Sequence, residues 1–249
     1  MEGFQAYCKV SISPVRKEAS DASEIVTQLL FGELITVHEI NEPWARIDTF
    51  SDAYSGFIDF KHLTRLSEKE VRRWTEGLST LKDRELALET PWGIQRICRG
   101  SFIPENETSF VIGNDSFSWP IAPHCDLPTP FAYAEDYLNT PYLWGGKSPF
   151  GIDCSGIIQV IYRFFDMNLP RDASEQARCG SEVAFEEIQS GDLAFFSKHD
   201  RITHVGILDG QGGIIHAAGH VRKDRLTETG IIREPDGFLT HSLTCIRRI

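Results

Sequence analysis

Along the first 63 residues, apolar side chains come in short alternating runs: Leu34-Ile35-Thr36-Val37, Trp44-Ala45-Arg46-Ile47 and Gly56-Phe57-Ile58-Asp59-Phe60. N-E-P and S-D-A-Y-S separate them. A period of two bounded by turn formers marks half-buried strands, and several at close spacing predict a small β-barrel. From Ser67 the period lengthens. Val71, Trp74 and Leu78 fall on one helical face, and Ser67 with Glu70 forms a capping box, so residues 67–81 read as a helix. Strand-like runs return at Gly93-Ile94-Gln95-Arg96-Ile97 and Ser109-Phe110-Val111-Ile112-Gly113, which we read as a second, diverged barrel. Pro120, Pro123, Pro128 and Pro130 then mark a boundary. Beyond it come a helix near residues 131–138, an apolar helix from Cys154, and strands around Asp192-Leu193-Ala194-Phe195-Phe196, His204-Val205-Gly206-Ile207-Leu208 and Gly213-Ile214-Ile215-His216-Ala217. Helices followed by antiparallel strands make an α+β domain. The expected organisation is a barrel at 1–64, a helical connector at 65–85, a second barrel at 86–127 and the α+β domain at 128–249.

Composition narrows the function. The chain has 249 residues, 41% hydrophobic and 24% charged, with 16 Phe and 5 Trp, enough apolar side chain for a sizeable core. Its formal net charge of -11, without a dense Lys/Arg cluster, disfavours nucleic-acid partners and anionic surfaces. No run of about 18 apolar residues predicts a membrane span. The start, M-E-G-F-Q-A-Y-C-K-V, lacks the pattern of an export signal, and a cytoplasmic protein is the expectation. Six cysteines are scattered without a C-x-x-C pair, which argues against a zinc site or a disulfide framework.

One cysteine stands apart. In G-I-D-C-S-G-I-I-Q-V-I-Y-R-F-F, residues Ile157, Ile158, Ile161, Phe164 and Phe165 recur at helical spacing. Asp153 is a natural N-cap, which puts Cys154 in the first turn, where unpaired N–H groups and the helix dipole favour a thiolate. Lone cysteines are more commonly buried hydrophobes, so a base must be found. His204 opens one strand and His216 ends another, with L-D-G-Q-G-G between them. A hairpin centred on Gly210 sets the two histidines directly opposite each other, one facing the thiol and the other orienting the first. A histidine pair can also hold a metal, but no nearby carboxylate or third histidine shows suitable spacing. No metal or cofactor is expected.

The blocks Y-L-W-G-G-K-S-P-F-G-I-D-C-S-G, L-P-R-D-A-S-E-Q, S-G-D-L-A-F-F, T-H-V-G-I-L and I-I-H-A-A-G, in this order, resemble the NlpC/P60 family of papain-like cysteine peptidases. The run G-E-L-I-T-V, W-A-R-I, Y-S-G-F-I resembles the bacterial SH3 domain. The resemblance implies a papain-like α+β catalytic domain preceded by two small SH3-like β-barrels. It implies Cys154 as nucleophile, His204 as general base and His216 as the orienting residue, with Tyr142 and Trp144 beside the nucleophile and Tyr142 shaping the oxyanion environment. It further implies that Ser155 and Asp172 meet the free amino end of the substrate. Tyr54, with Glu18 or Glu24 as an acidic helper, is the candidate contribution from the first barrel. Asp172 also reads as a simple helix N-cap before Ala173, and Tyr54 as an ordinary barrel aromatic. The architecture is similar to the γ-D-glutamyl-L-diamino acid endopeptidases, which implies a murein peptide, L-Ala-γ-D-Glu-diamino acid, as substrate. A wall-remodelling hydrolase or amidase would use the same residues, and an inert wall-binding module is the non-enzymatic alternative.

Overall fold

The computed structural model describes residues 3–104, 107–234 and 236–249. The chain divides into two units: one runs to Asp126 and takes in Lys147–Pro149, the other comprises Leu127–Gly146 and Phe150–Ile249. Among the described residues no helix is long and apolar enough to cross a membrane.

The first unit opens with strands β1 (Phe4–Cys8), β2 (Ile12–Arg16), β3 (Ile25–Leu30), β4 (Leu34–Asn41), β5 (Trp44–Thr49), β6 (Ser55–Asp59) and β7 (Leu63–Leu66). They form one antiparallel sheet in the order β3-β2-β6-β5-β4-β1-β7. Period-two alternation sends Val15, Val37, Ala45, Ile47 and Ile58 into a shared apolar core with Ala6 and Leu29. Helix α1 (Glu68–Thr75) starts on the Ser67/Glu70 capping box. It is shorter than the apolar spacing predicted. Gly77 takes a left-handed φ of 69°, and Leu78 passes into a strand instead of a further helical turn.

The end of the expected helical connector forms a strand, β8 (Leu78–Thr80), and the segment read as a second barrel supplies β9 (Glu85–Thr90), β10 (Gly93–Cys98), β11 (Phe102–Pro104), β12 (Ser109–Ile112) and β13 (Asp115–Ser118). They form a four-stranded sheet, β10-β9-β13-β12, and a two-stranded ribbon, β11-β8. Its apolar side chains do not close on themselves. Leu88, Ile97, Phe110 and Phe117 share a core with Tyr7, Phe31 and Leu34 of the first sheet and with Trp74 of α1. The short strand β14 (Lys147–Ser148) completes this unit, and its Lys147 Nζ lies 2.8 Å from the Glu33 carboxylate.

The second unit contains α2 (Pro130–Asp136), β15 (Gly151–Ile152), α3 (Cys154–Arg163), the single turn α4 (Ala173–Gln176) and strands β16 (Ser181–Glu182), β17 (Ser190–Lys198), β18 (Arg201–Asp209), β19 (Gly213–Ala218), β20 (His220–Thr227), β21 (Gly230–Arg233) and β22 (Phe238–Arg248). The order is β16-β22-β17-β18-β19-β20-β21, and β21 also pairs with β22. Strands β17 to β22 therefore close a six-stranded antiparallel barrel filled by Ala194, Phe196, Leu208, Ile214, Leu226, Ile231 and Ile246. Helix α3 packs on β18 and β19, the strands that hold His204 and His216.

Candidate active site

Asp153 builds the mouth of α3. Its Oδ1 caps the helix by accepting from Gly156 N at 2.7 Å, and its Oδ2 accepts from Gly145 N at 2.8 Å. Arg171 closes the arrangement from below, bonding both carboxylate oxygens and the Ser155 hydroxyl at 2.9 Å. The ion pair is almost wholly buried and hydrogen-bonded on all sides, the condition under which a buried pair is tolerated. Gly156 permits this closure, because a Cβ there would stand 2.2 Å from Gly146 O. Arg171 was within the quoted L-P-R-D-A-S-E-Q block but was not singled out by sequence reasoning.

Cys154 thus occupies the first turn of α3 and is 5% exposed. Burial and the Asp153 charge push its thiol up to about 12, with backbone hydrogen bonding from Val205 and Ser155 and the Arg171 charge pulling the other way. Burial thus favours the neutral thiol over the thiolate.

The candidate base, His204, stands on β18. His204 Nε2 lies 2.8 Å from His216 Nδ1 on β19, and His216 Nε2 lies 2.9 Å from Asp224 Oδ2 on β20. All three are buried. The hairpin between the histidines differs from the one expected. Gly206, not His204, pairs with His216, so the register is shifted by two residues. A two-residue shift keeps the same face, and the rings meet diagonally instead of directly across. Asp209 sets the shift by accepting from Gln211 N and Gly213 N within the turn.

Two further residues complete the cluster, contrary to the expectation that neither a carboxylate nor a third histidine lies near. Asp224 arrives on the next strand, where it is the one buried acid in an otherwise polar and aliphatic alternation. His241 arrives from β22 and stacks on His204 with ring centroids 4.2 Å apart and planes 20° apart. Asp224 lies eight residues past His216 on the adjoining hairpin strand, whereas His241 comes from a strand distant in sequence that pairs with β17. One nitrogen from each of His204, His216 and His241 falls within 4.8 Å of the others, close enough to raise the question of a metal. The near-parallel planes of His204 and His241 point their in-plane lone pairs alongside each other and do not converge on a common ion. The donor set fits a metal poorly.

Charge states follow from burial. His204 is held well below its ordinary value by burial, then by the charges of His216, His241 and Arg222. His216 is lowered by burial despite the opposing bond to Asp224, and His241 is lowered to about 4, chiefly by burial. Burial pushes the Asp224 carboxyl up, but bonds from His216 and from Glu234 N, with the nearby charges, bring it down to about 2. The site at neutral pH therefore holds three neutral imidazoles over one carboxylate.

Of the other candidates, Tyr142 precedes the glycine turn and is half-buried. Its N–H donates to Gly219 O at 3.0 Å, and burial, followed by the Cys154 and Asp153 charges, pushes its phenol up to about 12. The phenol therefore stays protonated at neutral pH. Trp144 is 57% exposed on the same turn. The Ser155 hydroxyl is engaged with Arg171 and Asp153. Asp172 begins α4 without a side-chain capping bond, and its residue is exposed. Tyr54 lies in the first unit, half-buried just before β6, and its part in a site rests on the resemblance alone.

Residues 139–238 match the NlpC/P60 family, and residues 15–63 match the bacterial dipeptidyl-peptidase SH3 domain. A gamma-D-glutamyl-L-lysine dipeptidyl-peptidase of Bacillus cereus is 28% identical over 80% of this chain and 68% of its own length. The protein of the same name from Bacillus subtilis is 42% identical over 32% of this chain and 28% of its own. Among solved structures, an NlpC/P60 family protein from Bacillus cereus shares the fold with a TM-score of 0.78 at 21% identity, covering 98% of this chain and 99% of its own.

Proposed function

We propose that this chain, which carries an NlpC/P60 cysteine-peptidase domain and a bacterial SH3 domain, hydrolyses the γ-D-glutamyl bond to a diamino acid in murein peptides whose N-terminal L-Ala is unblocked. The observation that carries the reading is the row of groups behind the helix mouth: a thiol in the first turn of α3, with His204, His216 and Asp224 in series. His204 takes the Cys154 proton, and the sulfur attacks the scissile carbonyl. The developing oxyanion meets the Tyr142 hydroxyl and backbone N–H groups at the start of α3. The tetrahedral intermediate expels the diamino acid's amine as His204 returns the proton. The same base then activates water to cleave the thioester, releasing the dipeptide and restoring the thiol.

The substrate rests on the relatives. Proteins named gamma-D-glutamyl-L-lysine dipeptidyl-peptidase are similar to this chain. From that name we infer a substrate that presents a free N-terminal amine. Asp172, exposed at the start of α4, is the carboxylate we assign to that amine, with Ser155 as a further contact. Such peptides are products of other wall hydrolases, and peptide recycling in the cytoplasm is the setting we propose.

The test is incubation with L-Ala-γ-D-Glu-diaminopimelate and L-Ala-γ-D-Glu-L-Lys, free, N-acetylated and muramyl-linked, with products read by mass spectrometry. Cleavage of the free peptides alone is expected. Equal cleavage of the blocked forms replaces the proposal with a wall-remodelling hydrolase.

A further inference from the structure

We propose that Asp224 is a positioning residue of this peptidase: through His216 it fixes which nitrogen of His204 carries a hydrogen, and so leaves Nδ1 as the lone pair that receives the thiol proton. The inference rests on the peptidase reading above and adds a fourth member to the row.

The argument is a count of donors and acceptors. Asp224 Oδ2 accepts from Arg222 Nε at 2.8 Å and lies 2.9 Å from His216 Nε2, while Oδ1 accepts from Glu234 N at 3.1 Å. The carboxylate has no hydrogen to give, so His216 must carry its hydrogen on Nε2. A neutral imidazole with hydrogen on Nε2 has a lone pair on Nδ1. That lone pair faces His204 Nε2 at 2.8 Å, so His204 carries its hydrogen on Nε2 and keeps Nδ1 bare. Each ring orders the next, and the polarity runs from the acid to the base. A second consequence concerns the imidazolium formed when His204 takes the proton. Its Nε2–H strengthens the bond to His216, which the carboxylate behind it supports, and the charge is stabilised without the proton leaving His204.

The alternative polarity shows why the acid is needed. With a neutral amide at 224, three donors face one acceptor oxygen. With the amide oxygen toward Arg222 Nε and His216 the tautomers stay as they are but the charge behind the row is lost; where the nitrogen instead turns toward His216, that ring must accept on Nε2 and donate from Nδ1. His204 then accepts on Nε2 and carries its hydrogen on Nδ1, where it cannot receive the thiol proton. The local fold is otherwise preserved, because Asn has the size and shape of Asp.

The experiment combines variants with a readout that needs none. Asp224→Asn should lower kcat on the free tripeptide about a hundredfold or more while KM changes little, with the native circular dichroism retained at a lowered urea midpoint. In the His216→Asn background the same change should cost little more, since the relay is already cut; additive losses would assign Asp224 a merely structural part. In the unsubstituted protein, 15N shifts of the labelled imidazoles should show His204 and His216 both with hydrogen on Nε2. Hydrogen on His204 Nδ1, or wild-type kcat in Asp224→Asn, overturns the proposal. His204→Ala separates the two readings: if it retains activity the peptidase assignment fails, whereas a dead His204→Ala beside an active Asp224→Asn removes only Asp224 from the row.

Discussion

At the residue scale, the resting site pairs a thiol pushed up to about 12 with an imidazole held well below its ordinary value. Both shifts come first from burial, which penalises each charged form. A preformed thiolate–imidazolium pair is thereby disfavoured, and the proton moves during the reaction. Alkylation of Cys154 by iodoacetamide should accordingly be slow at neutral pH and climb toward alkaline pH, without a plateau between pH 5 and 7. A rate already at its maximum at pH 6 would show that the ion pair exists at rest. The acid limb of kcat/KM should lie below pH 6.5, because the base stays unprotonated there. Cys154→Ala should abolish hydrolysis, with residual turnover below about a thousandth of wild type. His216→Asn should be milder than His216→Ala, since an amide still orients a ring; equal losses would remove the orienting role. The position of Cys154 at a capped helix mouth and the contact of His204 with His216 were legible in the sequence because each sits in a short block with its own local logic: a helix cap and a hairpin. Asp224 and His241 were not, because nothing in H-V-R-K-D-R-L-T or L-T-H-S-L states which strand will lie beside which.

At the scale of the elements, α3 shows how a core helix comes to carry chemistry. Its Ile157, Ile158 and Ile161 face is buried, which fixes the axis, while Asp153 and Arg171 fix the mouth. Gly156 is the hinge of that arrangement. A methyl group there would meet Gly146 O at 2.2 Å and Asp153 Oδ1 at 3.0 Å. The nearer obstacle is backbone, which cannot turn aside as a side chain can. Gly156→Ala should therefore destabilise the second unit by about 1–3 kcal/mol, despite the better helix propensity of alanine, and reduce activity by displacing the thiol. A urea midpoint equal to wild type would show that the loop of Gly145 and Gly146 yields freely. The strands of this unit were legible from their apolar runs, whereas the two-residue register shift was not. It depends on Asp209 folding its turn with two backbone bonds, a choice the L-D-G-Q-G-G string leaves open. Residues 86–127 read as a barrel for the same reason: alternation identifies strands but not the core they share. Phe110 and Phe117 pack with Phe31 and Trp74, outside their own segment.

At the scale of the molecule, the buried histidines set how the chain meets acid. Three of the eight, His204, His216 and His241, lie in the second unit with lowered values; His62, in the first, is lowered too. A histidine lowered on folding binds fewer protons in the native state than in the unfolded state once pH falls below about 6.5. Stability then rises with pH in that window and is lost as pH falls through it, continuing for His241 to about 4. The carboxylates behave alike in sign but at lower pH. Asp224, lowered to about 2, loses its contribution progressively as pH falls from its unfolded value of about 3.9 toward 2. The interval from pH 6.5 to 4 is thus a histidine interval, and three of its four contributors sit on the barrel strands β18, β19 and β22. Hydrogen exchange, corrected for the intrinsic pH dependence, should show these strands losing protection between pH 7.5 and 5 more than β4 and β5 of the first sheet. His241→Phe keeps a flat ring on His204 but has nothing to protonate, and it should recover part of the lost protection at pH 5. Equal acid sensitivity of the two sheets, or no recovery in that variant, would show that burial of these imidazoles does not govern the response.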